Sequence, residues 1–167
     1  MLGQAWHDRN LSEVASLVET TVLFAHVRAA SPGSLVSREN CHPFKHGRFS
    51  FMHNGVYCVV GVLCVVFSNA DIVLRSDHFC CAGGVAGFRQ IKRRLLSRLS
   101  DEIALNIEGT TDSEHVFALF LNSLPRHSLD PASPYHTPRE MADGLQQTIA
   151  TVLELQREAG ISAPSSL

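Results

Sequence analysis

Residues 49–55 have the sequence Phe49-Ser50-Phe51-Met52-His53-Asn54-Gly55. Apolar and polar side chains alternate along this stretch, and a period of two predicts a strand with one buried face, over roughly 48–53. Asn-Gly is a frequent turn pair because both residues tolerate positive φ. A turn at a strand end can also aim backbone amides at a reacting oxygen, although most such turns only connect strands. The stretch therefore predicts a strand followed by a turn, and leaves a binding role open.

The composition indicates one globular domain. The chain has 167 residues, 45% of them hydrophobic, and a formal net charge of -2, which argues against a nucleic-acid binder or a disordered tail. Asp8, Arg9 and Glu13 interrupt the opening residues, so we expect no signal peptide. The five cysteines are odd in number and lack metal-ligand spacing. We therefore expect a cytoplasmic protein that has no metal or other cofactor and binds neither nucleic acid nor membrane.

Helical periodicity and capping patterns predict four helices, at roughly 11–19, 86–99, 113–123 and 138–158. Three residue pairs have the spacing of a capping box: Asn10 with Glu13, Thr111 with Glu114, and Thr137 with Glu140. Gly160 is expected to follow the end of the last helix. The basic residues around Arg94 and Arg98 are expected to form an ordinary solvated face of the second helix.

The remaining segments complete an α+β prediction. A β-rich run over 21–27 predicts a buried strand. The breakers Pro32, Gly33, Pro43 and Gly47 predict a loop from Ala30 to Gly47. Weak alternation from Ile103 to Ile107 predicts a short strand.

Three further blocks accompany residues 49–55: Phe24-Ala25-His26-Val27-Arg28-Ala29-Ala30-Ser31, Glu39-Asn40-Cys41-His42-Pro43-Phe44 and Gly109-Thr110-Thr111-Asp112-Ser113-Glu114-His115. In this order the blocks resemble the class II glutamine amidotransferases, which are N-terminal-nucleophile hydrolases, and within them the amidotransferase of fungal glutathione degradation. The likeness covers most of 4–55 and 84–167. It implies an incomplete αββα sandwich, a hydrolase acting on the γ-glutamyl bond of glutathione, and a peptidase-like partner subunit.

The resemblance also implies site residues. Arg28 would hold the substrate α-carboxylate and Asp112 the α-amino group. The Asn54 side-chain amide and the Gly55 backbone amide would form the oxyanion hole. By residue type alone, Arg28 could equally begin a surface loop, and Asp112 could be an ordinary carboxylate at a helix start.

The family nucleophile is a cysteine directly after the initiator methionine, and here Leu2 follows Met1. Cys41 beside His42 is not expected to replace it, because adjacent side chains rarely face each other; His42-Pro43 is expected to pack the loop beside the substrate pocket. We therefore expect a chain truncated at both ends that lacks the nucleophile and, as given, hydrolyses neither glutamine nor glutathione. The alternative is a non-catalytic binding or partner subunit that keeps only the fold.

Residues 56–83 separate two segments that are almost adjacent in the family. The stretch contains 28 residues, including Cys58, Cys64, Cys80 and Cys81, and it opens with an apolar run over 56–67. That run is shorter than the roughly 20 residues of a membrane-spanning helix. We interpret 56–83 as a translated intron, with poor solubility as a consequence; the alternative is a natural inserted strand.

Overall fold

The structure is a computed structural model that describes residues 7–20, 35–47, 49–54, 62–67, 85–125 and 137–161. Its helices and strands confirm the predicted α+β class. In chain order the elements are α1 (Arg9–Leu17), a 3₁₀ turn (Arg38–Asn40), β1 (Phe44–His46), β2 (Phe49–Asn54), β3 (Val62–Phe67), α2 (Phe88–Leu96), α3 (Asp101–Ala104), α4 (Asp112–Ser123) and α5 (Pro138–Glu158). The predicted strand at 21–27 lies outside the described residues.

The sheet is antiparallel, and its strand order is β1-β2-β3. Phe51 of the central strand lies opposite Phe44 on β1 and Val65 on β3. Phe49 and Phe51 are buried, whereas Ser50 and Met52 are half-buried. The predicted alternation, and the predicted strand itself, are therefore confirmed.

The sequence predicts a loop from Ala30 to Gly47. This prediction was wrong for two parts of the stretch, which have regular secondary structure. Residues 38–40 form the 3₁₀ turn, and Phe44–His46 forms the edge strand β1. Three strand residues are too few to show a sequence period. Pairing with β2 and burial of Phe44 hold this short strand in place.

Helix α4 lies at the centre of the helical layer. Every residue from Ser113 to Leu121 is buried. The Phe117 ring stacks on Phe51 of β2, with the ring centroids 5.2 Å apart, so the helix covers the phenylalanine face of the sheet. On its other sides α4 packs against α2, α3 and α5. The hydrophobic core is therefore built around this one helix.

Helix α5 has the bounds that the sequence predicts. Glu140 N donates to Thr137 Oγ1 over 3.2 Å, and Thr137 N donates to Glu140 Oε2 over 2.9 Å, which completes the predicted capping box. Gly160 follows the helix with φ of 69°, a left-handed conformation that glycine adopts without strain. Both end signals were local, and local signals predicted this helix correctly.

Helix α2 is shorter than predicted, and exposed basic residues near its end form surface ion pairs. It begins after Gly87, whose φ is 66°, and it buries Ile91 and Leu95. Arg94 lies 3.6 Å from Glu158, and Arg98 lies 3.3 Å from Glu154. These exposed ion pairs connect α2 and the turn after it to α5, and Arg94 and Arg98 remain on a solvated basic face, as predicted.

Two further sequence predictions were wrong. Asp8, not Asn10, caps α1: its Oδ1 accepts from Leu11 N over 3.1 Å. Residues 101–104 form the helix α3, although Ile103 to Ile107 were predicted as a strand. Asp101 and Glu102 lie in the first turn of α3, where the helix dipole favours carboxylates, and Ile103 is buried as a helical residue.

Among the helices in the described part of the chain, none is long and apolar enough to cross a membrane. The second helical layer of an αββα sandwich stays a prediction. The strand β3 falls within the 56–83 segment, and it pairs with β2 over its whole length. The interpretation of 56–83 as a translated intron stays a prediction.

Candidate functional site

Asp112 is the first residue of α4, and backbone amides fix its carboxylate. Ser113 N donates to Asp112 Oδ1 over 2.8 Å, and Val85 N donates to Asp112 Oδ2. The side chain is half-buried, and the N-terminal end of a helix favours a negative charge. Ser113 Oγ lies 3.4 Å from Oδ1 as a third donor. A carboxylate has about four lone-pair positions, so the donors in the described part of the chain do not use all of them. Asp112 is therefore an oriented carboxylate with acceptor capacity beyond its described partners.

The turn that precedes Asp112 is held by Glu114. Its carboxylate is 7% exposed; Oε1 accepts from Glu108 N over 2.8 Å and Oε2 accepts from Gly109 N over 2.8 Å. Thr111 caps the helix by accepting from Glu114 N, as predicted. The reciprocal bond of the predicted capping box is replaced, because the Glu114 side chain binds the earlier amides of Glu108 and Gly109.

Asn40 reaches the same turn from the other side. It is 2% exposed, and its Oδ1 accepts from Thr110 N over 2.8 Å while its Nδ2 donates to Leu35 O over 3.1 Å. The sequence pattern places Asn40 within the Glu39–Phe44 block but predicts no role for it. Its position directly before Cys41-His42-Pro43, inside a block that resembles the family, was the sequence feature that could have drawn attention to Asn40.

The other predicted site residues are described only in part. Asn54 is the last residue of β2, and the structure describes its backbone but not its side chain. Arg28 and Gly55 lie outside the described residues. What the structure does bring together is Asp112 and Val85, the first described residue after the 56–83 segment.

Cys41 and His42 do not form a matched nucleophile and base. The Cys41 side chain is exposed, and its Sγ donates to Ser37 O over 3.2 Å. The half-buried His42 ring packs edge-on against Phe44, with the ring centroids 4.7 Å apart. The two side chains thus engage different neighbours, a backbone carbonyl and a phenylalanine ring.

A pocket of about 610 Å³ opens between residues 38–46 and 103–121. Its walls include Lys45, Ile107, Glu114 and Phe117. Asp112 is not part of its wall and binds Val85 instead. Of the predicted site residues whose side chains the structure describes, Asp112 therefore lies outside this pocket.

His115 is a buried titratable group next to this site. Its ring is 1% exposed, and Nδ1 donates to the Thr111 carbonyl over 2.7 Å. Burial is the main cause that lowers the pKa of His115, and the charge of Lys92 acts in the same direction. Among the described residues, no three His, Cys, Asp or Glu side chains form a group that could hold a metal ion.

Comparison with known proteins connects this geometry to glutamine amidotransferases. No protein-family model matches the chain. The probable glutamine amidotransferase DUG3 of Saccharomyces cerevisiae is 38% identical over 127 residues, which are 76% of this chain and 28% of DUG3. A solved glutamine aminotransferase class-II domain protein from Silicibacter pomeroyi is 26% identical with a TM-score of 0.53, over 93% of this chain and 47% of that chain. The chain thus spans less than half the length of either protein.

Proposed function

Because the chain belongs to the class II glutamine amidotransferase family, we propose that it carries the part of a γ-glutamyl site that binds and orients the substrate. Asp112 accepts the substrate α-ammonium group, and Arg28 binds the α-carboxylate. Asn54 and Gly55 donate to the oxygen of the γ-amide. The substrate class is glutamine or a γ-glutamyl compound such as glutathione, in the cytoplasm.

One observation supports this assignment above the others, namely the hydrogen bond from Val85 N to the Asp112 carboxylate. Val85 begins the segment that the family joins almost directly to the Asn-Gly turn. The contact therefore supports a position next to Asp112 for the segment at Val85. By resemblance, this segment follows the oxyanion residues in the family. A carboxylate that served only as a helix cap would need no partner 27 residues away.

The chemistry that this site would support is hydrolysis of a γ-glutamyl amide. A cysteine thiolate would attack the amide carbon to give a tetrahedral intermediate whose negative charge lies on the former carbonyl oxygen. That intermediate would collapse to a thioester as the protonated nitrogen leaves as ammonia or an amine, and water would then hydrolyse the thioester to the carboxylate and the free thiol. The Asn54 amide and the Gly55 N–H would stabilise that charge. Loss of one oxyanion donor typically lowers the rate by about 10²–10³-fold.

Isothermal titration with L-glutamine and with glutathione tests the binding role without requiring turnover. Asp112→Asn removes the negative charge, and a charge-assisted hydrogen bond is typically worth about 1.5–3 kcal/mol, so we expect affinity for both ligands to fall by about tenfold or more. Asp101→Asn is the matched control, because Asp101 is likewise the first residue of a helix and is exposed. Equal affinity of the two variants, or no binding by the unmodified chain at millimolar ligand, would contradict the proposal.

A further inference from the structure

We propose that Asn40 is a positioning residue that connects Leu35 to the turn before Asp112 and so fixes the carboxylate that takes the substrate α-amino group. The inference rests on the function proposed above. It concerns a side chain to which neither composition nor family resemblance assigned a role. Its basis is the hydrogen-bonding geometry of the described residues.

The Asn40 side chain bridges two segments that are far apart in sequence. Its carbonyl oxygen accepts from Thr110 N, and its amide nitrogen donates to Leu35 O. The side-chain oxygen and nitrogen both have partners at this buried position, where an amide without partners would be destabilising. The orientation of this side chain is therefore set by its two partners.

Glu114 and Gly109 leave the turn little freedom. Glu114 accepts from Glu108 N and Gly109 N, so successive amides of the turn are bound by Glu114 and then by Asn40. A Cβ atom on Gly109 would lie 2.6 Å from Asn40 Oδ1 and 2.7 Å from Glu114 Oε2. Only glycine lets both side chains approach the turn this closely.

The position of the turn determines the position of Asp112. Thr110 precedes Asp112 by two residues, and Leu35 follows Arg28 by seven. Asn40 thus bonds to a residue seven positions after Arg28 in sequence and to a residue two positions before Asp112. Displacement of a site group by about 1 Å can lower a rate by roughly 10²-fold, so a fixed turn has functional value.

A purely structural role for Asn40 makes a different prediction from a positioning role. A structural defect would weaken the binding of every ligand to a similar extent. A positioning defect acts through Asp112 and concerns the α-ammonium group. Two probes separate them: L-glutamine, and 4-carbamoylbutanoate, which is glutamine without its α-amino group.

The first test measures the affinity of Asn40→Ala for both probes by isothermal titration. We expect its loss for L-glutamine to exceed its loss for 4-carbamoylbutanoate by about fivefold or more, on the scale of one hydrogen bond. Asn106→Ala is the control, because Asn106 is exposed and its Nδ2 donates to Glu102 O, four residues earlier, over 2.7 Å. A similar loss for both probes would overturn the inference.

A second variant disturbs the contact between Asn40 and the turn by changing the turn itself. Gly109→Ala places a methyl group against Asn40 and Glu114, so we expect the same preferential loss of L-glutamine affinity. Preserved affinity for L-glutamine in folded Gly109→Ala would contradict the positioning role.

The hydrogen bonds by which Asn40 and Glu114 hold residues 108–110 form a brace. Amide hydrogen exchange tests this brace independently of any ligand. In Asn40→Ala we expect the Gly109 and Thr110 amides to exchange about tenfold faster or more, and in Asn106→Ala to be unchanged. Unchanged exchange in Asn40→Ala would overturn the inference whether or not glutamine binds. Faster exchange combined with no glutamine binding by the unmodified chain would contradict the proposed function and leave the brace confirmed.

Discussion

Helices α1 and α4 are both capped by a polar side chain, yet one is exposed and the other forms the core. None of the residues of α1 is buried, and Leu17 at its end is 82% exposed. In α4 all residues from Ser113 to Leu121 are buried. The comparison shows that a cap and a helical period specify a helix but do not specify whether another surface buries its apolar side chains.

Composition explains part of this difference. Helix α4 has apolar side chains on most of its circumference, and a helix that is hydrophobic all round is typically buried. Helix α1 has a single apolar stripe, which includes Leu11 and Val14. Such a stripe needs a partner surface. The described part of the structure supplies that surface to α4, through the sheet and its neighbouring helices, and leaves the stripe of α1 exposed.

The largest expected difference concerns core volume. Phe120 on α4 is 0% exposed, so Phe120→Ala should lower the free energy of unfolding by about 3–5 kcal/mol. Leu17→Ala on α1 should change it by no more than about 0.5 kcal/mol, because that side chain is already in water. Urea denaturation followed by circular dichroism measures both. Similar losses for the two variants would show that α1 is packed in solution.

The helix caps give a smaller difference. Thr111→Ala removes the hydroxyl that accepts from Glu114 N and should cost about 1 kcal/mol, a typical value for an N-cap. Asp8→Ala removes the corresponding bond to Leu11 N, but fraying of an unpacked helix should leave global stability within about 0.5 kcal/mol. Thermal unfolding of the two variants provides the measurement, and a larger loss for Asp8→Ala would reverse the comparison.

The smallest expected effect is a pH dependence centred on α4. Burial lowers the pKa of His115 from 6.5, with Lys92 opposing and Glu114 and Asp112 favouring protonation. The unfolded chain therefore binds a proton more readily, and the free energy of unfolding should fall as pH drops below about 6.5, until the lowered pKa is passed. His115→Gln should make that fall shallower, because the variant lacks the buried imidazole that the unfolded chain protonates more readily. Denaturation at pH 7.5 and 5.5 compares the variant with the unmodified chain, and an unchanged slope would refute the assignment.

Local signals predicted much of the fold. The capping box at Thr137 and Glu140 and the glycine at 160 specified α5 to the residue, and the alternation of Phe49 and Phe51 specified β2. Residues 101–104 were predicted incorrectly because Ile103 and Ile107 fit a weak alternation as well as a helical turn. Segments this short are decided by tertiary burial, which a sequence period does not show.

The candidate site was less predictable from the sequence. Asp112 was identified through the block around it, and its N-terminal position on α4 is confirmed. The brace formed by Asn40 and Glu114 was missed, because its hydrogen bonds depend on a contact between residues 70 positions apart. A capping pattern at Thr111 and Glu114 even suggested a different partner for the Glu114 carboxylate.

A crystal structure of this chain with bound L-glutamine tests the central claim most directly. We expect the Asp112 carboxylate to bind the α-ammonium group, the Arg28 guanidinium to bind the α-carboxylate, and Asn54 to face the γ-amide oxygen, all within one cleft. Hydrogen-bond distances of about 2.7–3.2 Å would establish the three contacts. Arg28 and Asp112 on opposite faces of the molecule, or glutamine bound in the pocket between residues 38–46 and 103–121, would contradict the account.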